Sequence, residues 1–556
     1  LARYYEDQYH GLDKAEAVKP ETVQEHFFDS NDWRTGRFSL AVDLARRRGA
    51  NEKALDLANE ALTMLRGPRH RVQILPSAIR LAVDGNDVAG AREYLDEYQG
   101  IISAREDAGT NREQLTYLQA ILAKAEDTPY EVIEKLQPMV VNGGSRPELW
   151  ALLAEAYIRT NQTRRAINAL RQYLHVRPDD SSMTLQLARL YLKLRDWQQV
   201  FKTAEAAEQM DTENLTATLL RIEAGTHLAT GSGAEMDTAQ LRELSTELNE
   251  LAQLHPNRHE IYGMLAGISE YSGRVDEAEQ MLKRAIEADS NSVGPAMQLV
   301  QYYRRNDRLV DAVALCRSVC ERHSDSAEPW IQLSQLCMAE SEYVGAHDCL
   351  KRGLAAVMKQ SERRALSIKL ALLEIAEGDP EDRKAGIQRL LDVAAQNEQE
   401  IHARTLLLGI RDVREDKELT KKLIGELKQI EGESGLLWRL HQASVWLAST
   451  DWRSRQADIT DYLEHCMAAD PSWVAPVLLS ADLYAKLDDA DRVESICRQA
   501  LARNPSAMAI ASRLLVLLEK QGRFKEAAEV LDDLGQSSSS MELVKDWTVR
   551  IAVRTG

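Results

Sequence analysis

The chain has 556 residues with 69 Lys and Arg against 87 Asp and Glu, a formal charge of -18. That acidic balance repels phosphate backbones and anionic lipid, so neither nucleic acid nor a membrane surface is an expected partner. Aromatic residues make up only 6% of the chain, a composition suited to close-packed helices and poor for sheets.

No run of 18 apolar residues occurs, so no transmembrane segment is expected within the sequence. Six cysteines are too few for a disulfide framework and fit a reducing, cytoplasmic setting. The sequence begins at Leu1, which leaves a periplasmic or membrane-anchored setting, through a segment upstream of Leu1, as the alternative expectation.

Residues 1–32 read as a leader and capping helix. From 33 to 142, small and apolar residues recur at helical spacing in pairs of segments. Phe38, Ala41, Ala54, Ala58 and Ala61 make one pair, and Ala78, Ala82, Ala91 and Leu95 a second. Residues 112–141 make a third, turning at Asp127-Thr128-Pro129. Asn142-Gly143-Gly144-Ser145 reads as a joint.

The stretch 143–258 holds the clearest unit, PELWALLAEAYIRTNQTRRAINALRQYLHVRPDD from Pro147. Trp150, Leu153, Ala154 and Tyr157 share one helical face, and after a polar turn Ala166, Leu170 and Tyr173 share another. Pro178 cannot continue the second helix and ends it. Small residues such as Ala154 and Ala166 let the two helices approach closely, while the larger ones fill the groove to the next pair. The arrangement resembles the tetratricopeptide repeat: Trp, Leu, a small residue and Tyr on a first helix, Ala and a large apolar residue on a second, then Pro. Tyr173 replaces the small residue usual late in the second helix.

The same spacing returns at Leu187, Ala188, Tyr191, Val200, Ala204 and Ala207. An insertion at Thr230-Gly231-Ser232-Gly233 follows. In 259–358 the copies are Tyr262/Leu265/Ala266/Ala278/Leu282/Ala285, Leu299/Tyr303/Ala312/Cys316 and Trp330/Leu333/Cys337/Ala346/Leu350. Residues 359–433 read as two degenerate pairs, the first turning at Gly378-Asp379-Pro380. In 434–540 two more copies flank Pro505: Ala481/Tyr484/Val493/Cys497/Ala500 and Leu514/Leu518/Ala527/Leu531. A final segment, 541–556, reads as a C-terminal capping helix. The expected fold is therefore an all-α, right-handed solenoid of about fourteen antiparallel helix pairs.

Chemistry-bearing motifs are scarce. No HExxH, GxSxG or phosphate-binding loop occurs, so no catalytic residue, cofactor or metal is expected. Cys316, Cys320 and His323 have a spacing that could face a metal, but the cysteines fall where the repeat buries apolar residues. Carboxylate pairs such as Asp179-Asp180 and Asp488-Asp489 sit at turns, where helix capping accounts for them.

The resemblance implies a protein–protein interaction scaffold that binds a peptide or helix on a concave surface lined by first helices. Matching positions there are Glu148, Glu155 and Arg159; Arg189 and Lys193; Gln301, Arg304 and Arg305; and Glu328 and Gln335. The basic islands Arg159, Arg189, Lys193, Arg304 and Arg305, with Gln301, are the candidate partner-binding residues, suiting an acidic partner segment. A clamp for chaperone C-termini, known in this family, is not matched. Ala151, Glu155, Gln186, Leu478, Asp482 and Ala509 stand at its positions, and only Arg513 agrees. Two other expectations remain. One is a periplasmic or membrane-anchored scaffold of bacterial exopolysaccharide export or envelope assembly; the other, less favoured by charge, is an RNA-processing helical repeat.

Overall fold

A computed structural model describes residues 50–64, 67–104, 109–141, 146–231, 237–505 and 507–537, with Ser39, Ala41, Val42, Ala45, Trp547 and Thr548 besides. The expected leader, Phe38, the joint at 142–145, Ser232-Gly233 of the insertion and most of the terminal capping segment lie outside the described residues. Those described form twenty-eight α-helices, one 3-10 turn and no strand.

The chain divides into two compact units, one of residues 1–178 with 432–434, the other of 179–431 with 435–556. In the first, α1 (Asn51–Met64) precedes three antiparallel hairpins. These are α2 (Pro68–Asp84) with α3 (Val88–Ser103), α4 (Gly109–Ala125) with α5 (Pro129–Val141), and α6 (Pro147–Arg159) with α7 (Thr163–Val176).

The second unit begins with α8 (Ser181–Lys193) and α9 (Trp197–Met210), then α10 (Leu215–Ala229) and α11 (Thr238–Leu254). It continues through α12 (His259–Tyr271) and α13 (Val275–Ala288), α14 (Val293–Arg305) and α15 (Leu309–Arg322), and α16 (Ala327–Ala339) and α17 (Tyr343–Ala356). Next come α18 (Gln360–Glu377) and α19 (Pro380–Gln396), then a first helix broken into α20 (Ile401–Gly409) and α21 (Arg411–Glu415) before α22 (Lys417–Glu431). The unit closes with α23 (Leu437–Ala448) and α24 (Gln456–Ala469), α25 (Val474–Lys486) and α26 (Ala490–Arg503), and α27 (Met508–Lys520) and α28 (Phe524–Ser537). Within each unit, consecutive helices pack as hairpins and each hairpin packs on the next. The fold is an all-α solenoid.

The turn inside the hairpin is the most regular feature. Residues in the left-handed region stand 34 apart at Asp127, Asn161 and Arg195, again at Gly273, Asp307 and Ser341, and again at Asp488 and Gly522. The residue after each such position sends its N–H back to a carbonyl near the end of the first helix. Gln162 donates to Tyr157 at 2.8 Å, Arg308 to Tyr303 at 2.9 Å and Arg523 to Leu518 at 2.9 Å. This bond satisfies a helix-end carbonyl that would otherwise be orphaned, and it fixes the reversal of direction. Asp and Asn tolerate that conformation through local hydrogen bonds; Gly does so without a side chain.

No single core runs through the second unit. Its buried apolar residues form successive clusters along the chain, such as Leu219–Ile268, Ala266–Leu370, Ile368–Trp438 and Leu436–Leu483. Each hairpin shares apolar surface with its neighbours alone, as solenoid stacking requires. Leu153, Ala154, Tyr157 and Ala166 are buried where α6 meets α7, as is Trp330 on α16. Trp150 and Tyr484 are half-buried, and Pro178 and Pro505 are exposed in the turns they follow.

Candidate protein-binding site

The first helices carry most of the expected binding residues, and their side chains divide into two groups. The first group is already engaged. Arg159 is ion-paired with Asp127, and Lys124 with Glu155 at 2.6 Å. In the second unit Arg305 donates to both oxygens of Glu270, at 3.1 and 2.8 Å. The Nε2 of Gln301 donates to Oε1 of Gln332 at 2.5 Å. Arg513, the sole match to the chaperone clamp, pairs with Asp482 at 2.6 Å. All of these link one first helix, or the turn at its end, to the next first helix.

The second group is free. Arg189, Lys193 and Arg304 are exposed and make no ion pair among the described residues. Around Gln301, the amides of exposed Gln298 and Gln335 complete a polar, uncharged row with Gln332. One glycine of α12, Gly263, lies beside that row. A Cβ at Gly263 would meet the Gln298 Oε1 at 2.6 Å, whereas one at Gly267 would meet nothing within 4 Å.

Charge is organised differently on the second helices. Glu279 of α13 accepts from Lys283, Arg308 and the Tyr303 hydroxyl, at 2.8, 2.6 and 2.9 Å. Those donors, Lys283 foremost, hold its carboxyl down at about 2. The Tyr303 hydroxyl, buried and donating to that carboxylate, is pushed up to about 12.

The six cysteines are buried. Cys316 donates to the Pro329 carbonyl at 3.3 Å, and the adjoining Cys320 thiol, then burial, push it up. Burial pushes Cys349 to about 12 and Cys497 to about 11. Thiols so protonated are poor nucleophiles and poor ligands. Among the described residues no group of three His, Cys, Asp or Glu is placed to hold a metal ion. Nor is any helix among them long and apolar enough to cross a membrane.

Sequence reasoning missed an aromatic and basic cluster on α23, α24 and the turn between them. Tyr462 meets Trp438 edge-to-face and stacks on Trp446, with ring centroids 5.3 Å apart in both contacts. The signal was present: four of the nine tryptophans fall between 438 and 473.

Helical hairpins stacked in this way define a helical-repeat protein, a class whose general work is to hold other proteins. The chain carries tetratricopeptide repeats: models of that repeat match residues 147–190, 259–292 and 478–540. It is 27% identical over 119 residues to human tetratricopeptide repeat protein 7A, a match covering 21% of this chain and 14% of that protein. Among solved structures, the Cut9–Hcn1 hetero-tetramer of the APC/C overlays 93% of this chain and 96% of its own, at 12% identity and TM-score 0.36. Yeast Tom70 overlays 80% of this chain and 96% of its own, at 11% identity and TM-score 0.35. A tetratricopeptide repeat protein of Parabacteroides merdae overlays 47% of this chain and 98% of its own, at 13% identity and TM-score 0.35. The fold is that of a protein-interaction scaffold.

Proposed function

We propose that the protein is a non-catalytic adaptor that holds an acidic peptide or helical segment of a partner against the first helices of its second unit. The observation that carries this reading is the contrast among its first-helix cations. Arg159, Arg305 and Arg513 are neutralised by neighbouring carboxylates, while Arg189, Lys193 and Arg304 remain exposed without a partner among the described residues. A cation left unpaired in a chain with eighteen excess negative charges is available for charge-assisted hydrogen bonds to a carboxylate. The Gln298, Gln301, Gln332 and Gln335 amides offer donors and acceptors of the kind a peptide backbone needs.

The test is crosslinking followed by pull-down from the native source, comparing wild type with Arg189→Glu/Lys193→Glu and with Arg304→Glu. Loss of the same partner in both variants, with unchanged helicity, supports the adaptor reading. Identical partner lists in all three samples would sink it.

A further inference from the structure

The turn between α23 and α24 departs from the regular repeat. In most hairpins the first and second helices are joined by three residues, as at 160–162, 306–308, 340–342 and 487–489. Here seven residues, 449–455, make the connection, and the last four, Trp452-Arg453-Ser454-Arg455, form a 3-10 turn. Arg453 and Arg455 are exposed, and Trp452 is half-buried. An insertion in a repeat array maps to a loop on one face and is a common place for specific binding.

The cations of this region are set on aromatic rings. The Arg453 guanidinium lies 5.3 Å from the Trp452 ring centroid, and Arg455 lies 5.6 Å from that of Trp446. Arg439 covers Trp438 at 4.5 Å and Tyr462 at 5.8 Å. From the next hairpin, the Lys486 Nζ sits 5.5 Å from the Trp452 centroid and donates to the Leu447 carbonyl at 2.6 Å. Each contact restricts a long side chain before any ligand arrives, which lowers the entropy lost on binding.

The acidic residues nearby do not neutralise the turn. Arg453 makes no ion pair among the described residues. Arg455 makes one long contact, 3.5 Å to Asp458, with both side chains about half exposed. Asp451 is held by the Ser449 hydroxyl, with Arg455 and Lys417 nearby.

We propose that the Trp452–Arg455 turn, with Lys486 and Arg439, is a second docking surface, one that takes an acidic segment of a partner protein. It is separate from the first-helix cations Arg189, Lys193 and Arg304 and does not rest on their role. Two observations select carboxylates over nucleic acid. The ring faces that would stack bases are already covered by cations or by one another, leaving guanidinium edges as the outward chemistry. The -18 charge of the chain opposes a polyphosphate, whereas a short acidic stretch presents only a few charges at the local patch. Trp and Arg together are the residue types that dominate the energetics of protein interfaces.

The experiment uses the full chain and a short fluorescein-labelled poly-glutamate peptide, read by anisotropy, with poly-glutamine of equal length and oligouridylate as counter-probes. We expect saturable, salt-sensitive binding of poly-glutamate. Arg453→Glu/Arg455→Glu should weaken it by about tenfold or more, Trp452→Ala should weaken it measurably, and Arg242→Glu, at an exposed cation of α11 outside both surfaces, should leave it intact. If the charge reversal lowers the helical circular dichroism, Arg453→Gln/Arg455→Gln reads the same question. The proposal is overturned by wild-type affinity in the arginine variants, by absence of binding to poly-glutamate, by equal binding of poly-glutamine, or by oligouridylate binding as tightly. Concentration-dependent self-association, abolished by the same variants while poly-glutamate fails to bind, would assign the surface to a second copy and also overturn it.

Discussion

The imidazole of His441, on α23, has a buried Nε2 with no hydrogen-bond partner. Burial, with the nearby Arg414 charge acting in the same direction, holds its pKa down at about 4. In the unfolded chain the ring takes a proton near pH 6.5, so between about 6.5 and 4 the unfolded state binds more protons than the native one. The stability owed to the neutral ring is complete above pH 6.5 and is lost as the pH falls toward 4. Between pH 7.5 and 5, wild type should lose about 1–2 kcal/mol more than His441→Gln, measured as denaturant midpoints. Parallel pH profiles would show that the ring is hydrated. Nothing in the repeat pattern announced this, because periodicity reports which face of a helix is buried and not what a polar residue finds there. The buried positions were legible for that same reason: Leu153, Ala154, Tyr157, Ala166 and Trp330 sit where spacing put them. The partners of Arg159 and Arg305 were not, since a long side chain reaches across a whole repeat to Asp127 or Glu270 by a choice of rotamers that spacing does not encode.

At the scale of the helix, the sequence pattern locates hairpins well wherever the turn carries Asn, Asp or Gly, as at Asn161 and Gly273. It reads less well between 397 and 456, where the devices are tertiary. The first helix there breaks at Ile410. The hairpin after it starts on a buried glutamate from another helix. Glu431, 3% exposed, accepts from the N–H groups of Leu436, Leu437 and Trp438 at 3.3, 3.2 and 2.9 Å. It thereby serves as the N-terminal cap of α23 from five to seven residues away. Burial pushes its carboxyl up, against the pull of those three donors. Glu431→Gln keeps an acceptor oxygen and should change stability by less than about 1 kcal/mol, whereas Glu431→Ala strands buried donors and should cost about 2–3 kcal/mol. Equal losses for the two variants, in denaturant unfolding, would assign the effect to packing instead of capping. No local capping signal marks α23 in the sequence, since the residue before it is Leu436.

At the scale of the molecule, a solenoid has neighbours in place of a centre, and damage should stay close to where it is made. Trp330 offers the sharpest case. Its side chain, 4% exposed, lies over Gly353 of the paired helix, where a Cβ would stand 2.7 Å from the ring's Cγ and 2.9 Å from its Cβ. The tryptophan therefore needs the glycine: close approach across the α16–α17 hairpin depends on a small residue, as it does at Ala154 and Ala166 in α6–α7. Trp330→Ala should cost about 3–5 kcal/mol by leaving a cavity. Gly353→Ala should cost about 1–2 kcal/mol net, because the overpacking outweighs the better helix propensity of alanine. Trp150, half-buried in α6, should lose less than Trp330 on truncation to Ala. In a single-core domain either change at the α16–α17 hairpin would lower protection everywhere. Here the apolar cluster containing Trp330 runs from Ala266 to Leu370, and the one at the end of the unit, from Val477 to Trp547, shares no residue with it. Native-state hydrogen exchange of Trp330→Ala should consequently show deprotection of α14 to α18 with α26 to α28 unchanged, and a smaller change over the same span for Gly353→Ala. A uniform loss of protection across the second unit would mean that its hairpins unfold as one cooperative block, and that the clusters act as a single core despite their separation along the chain.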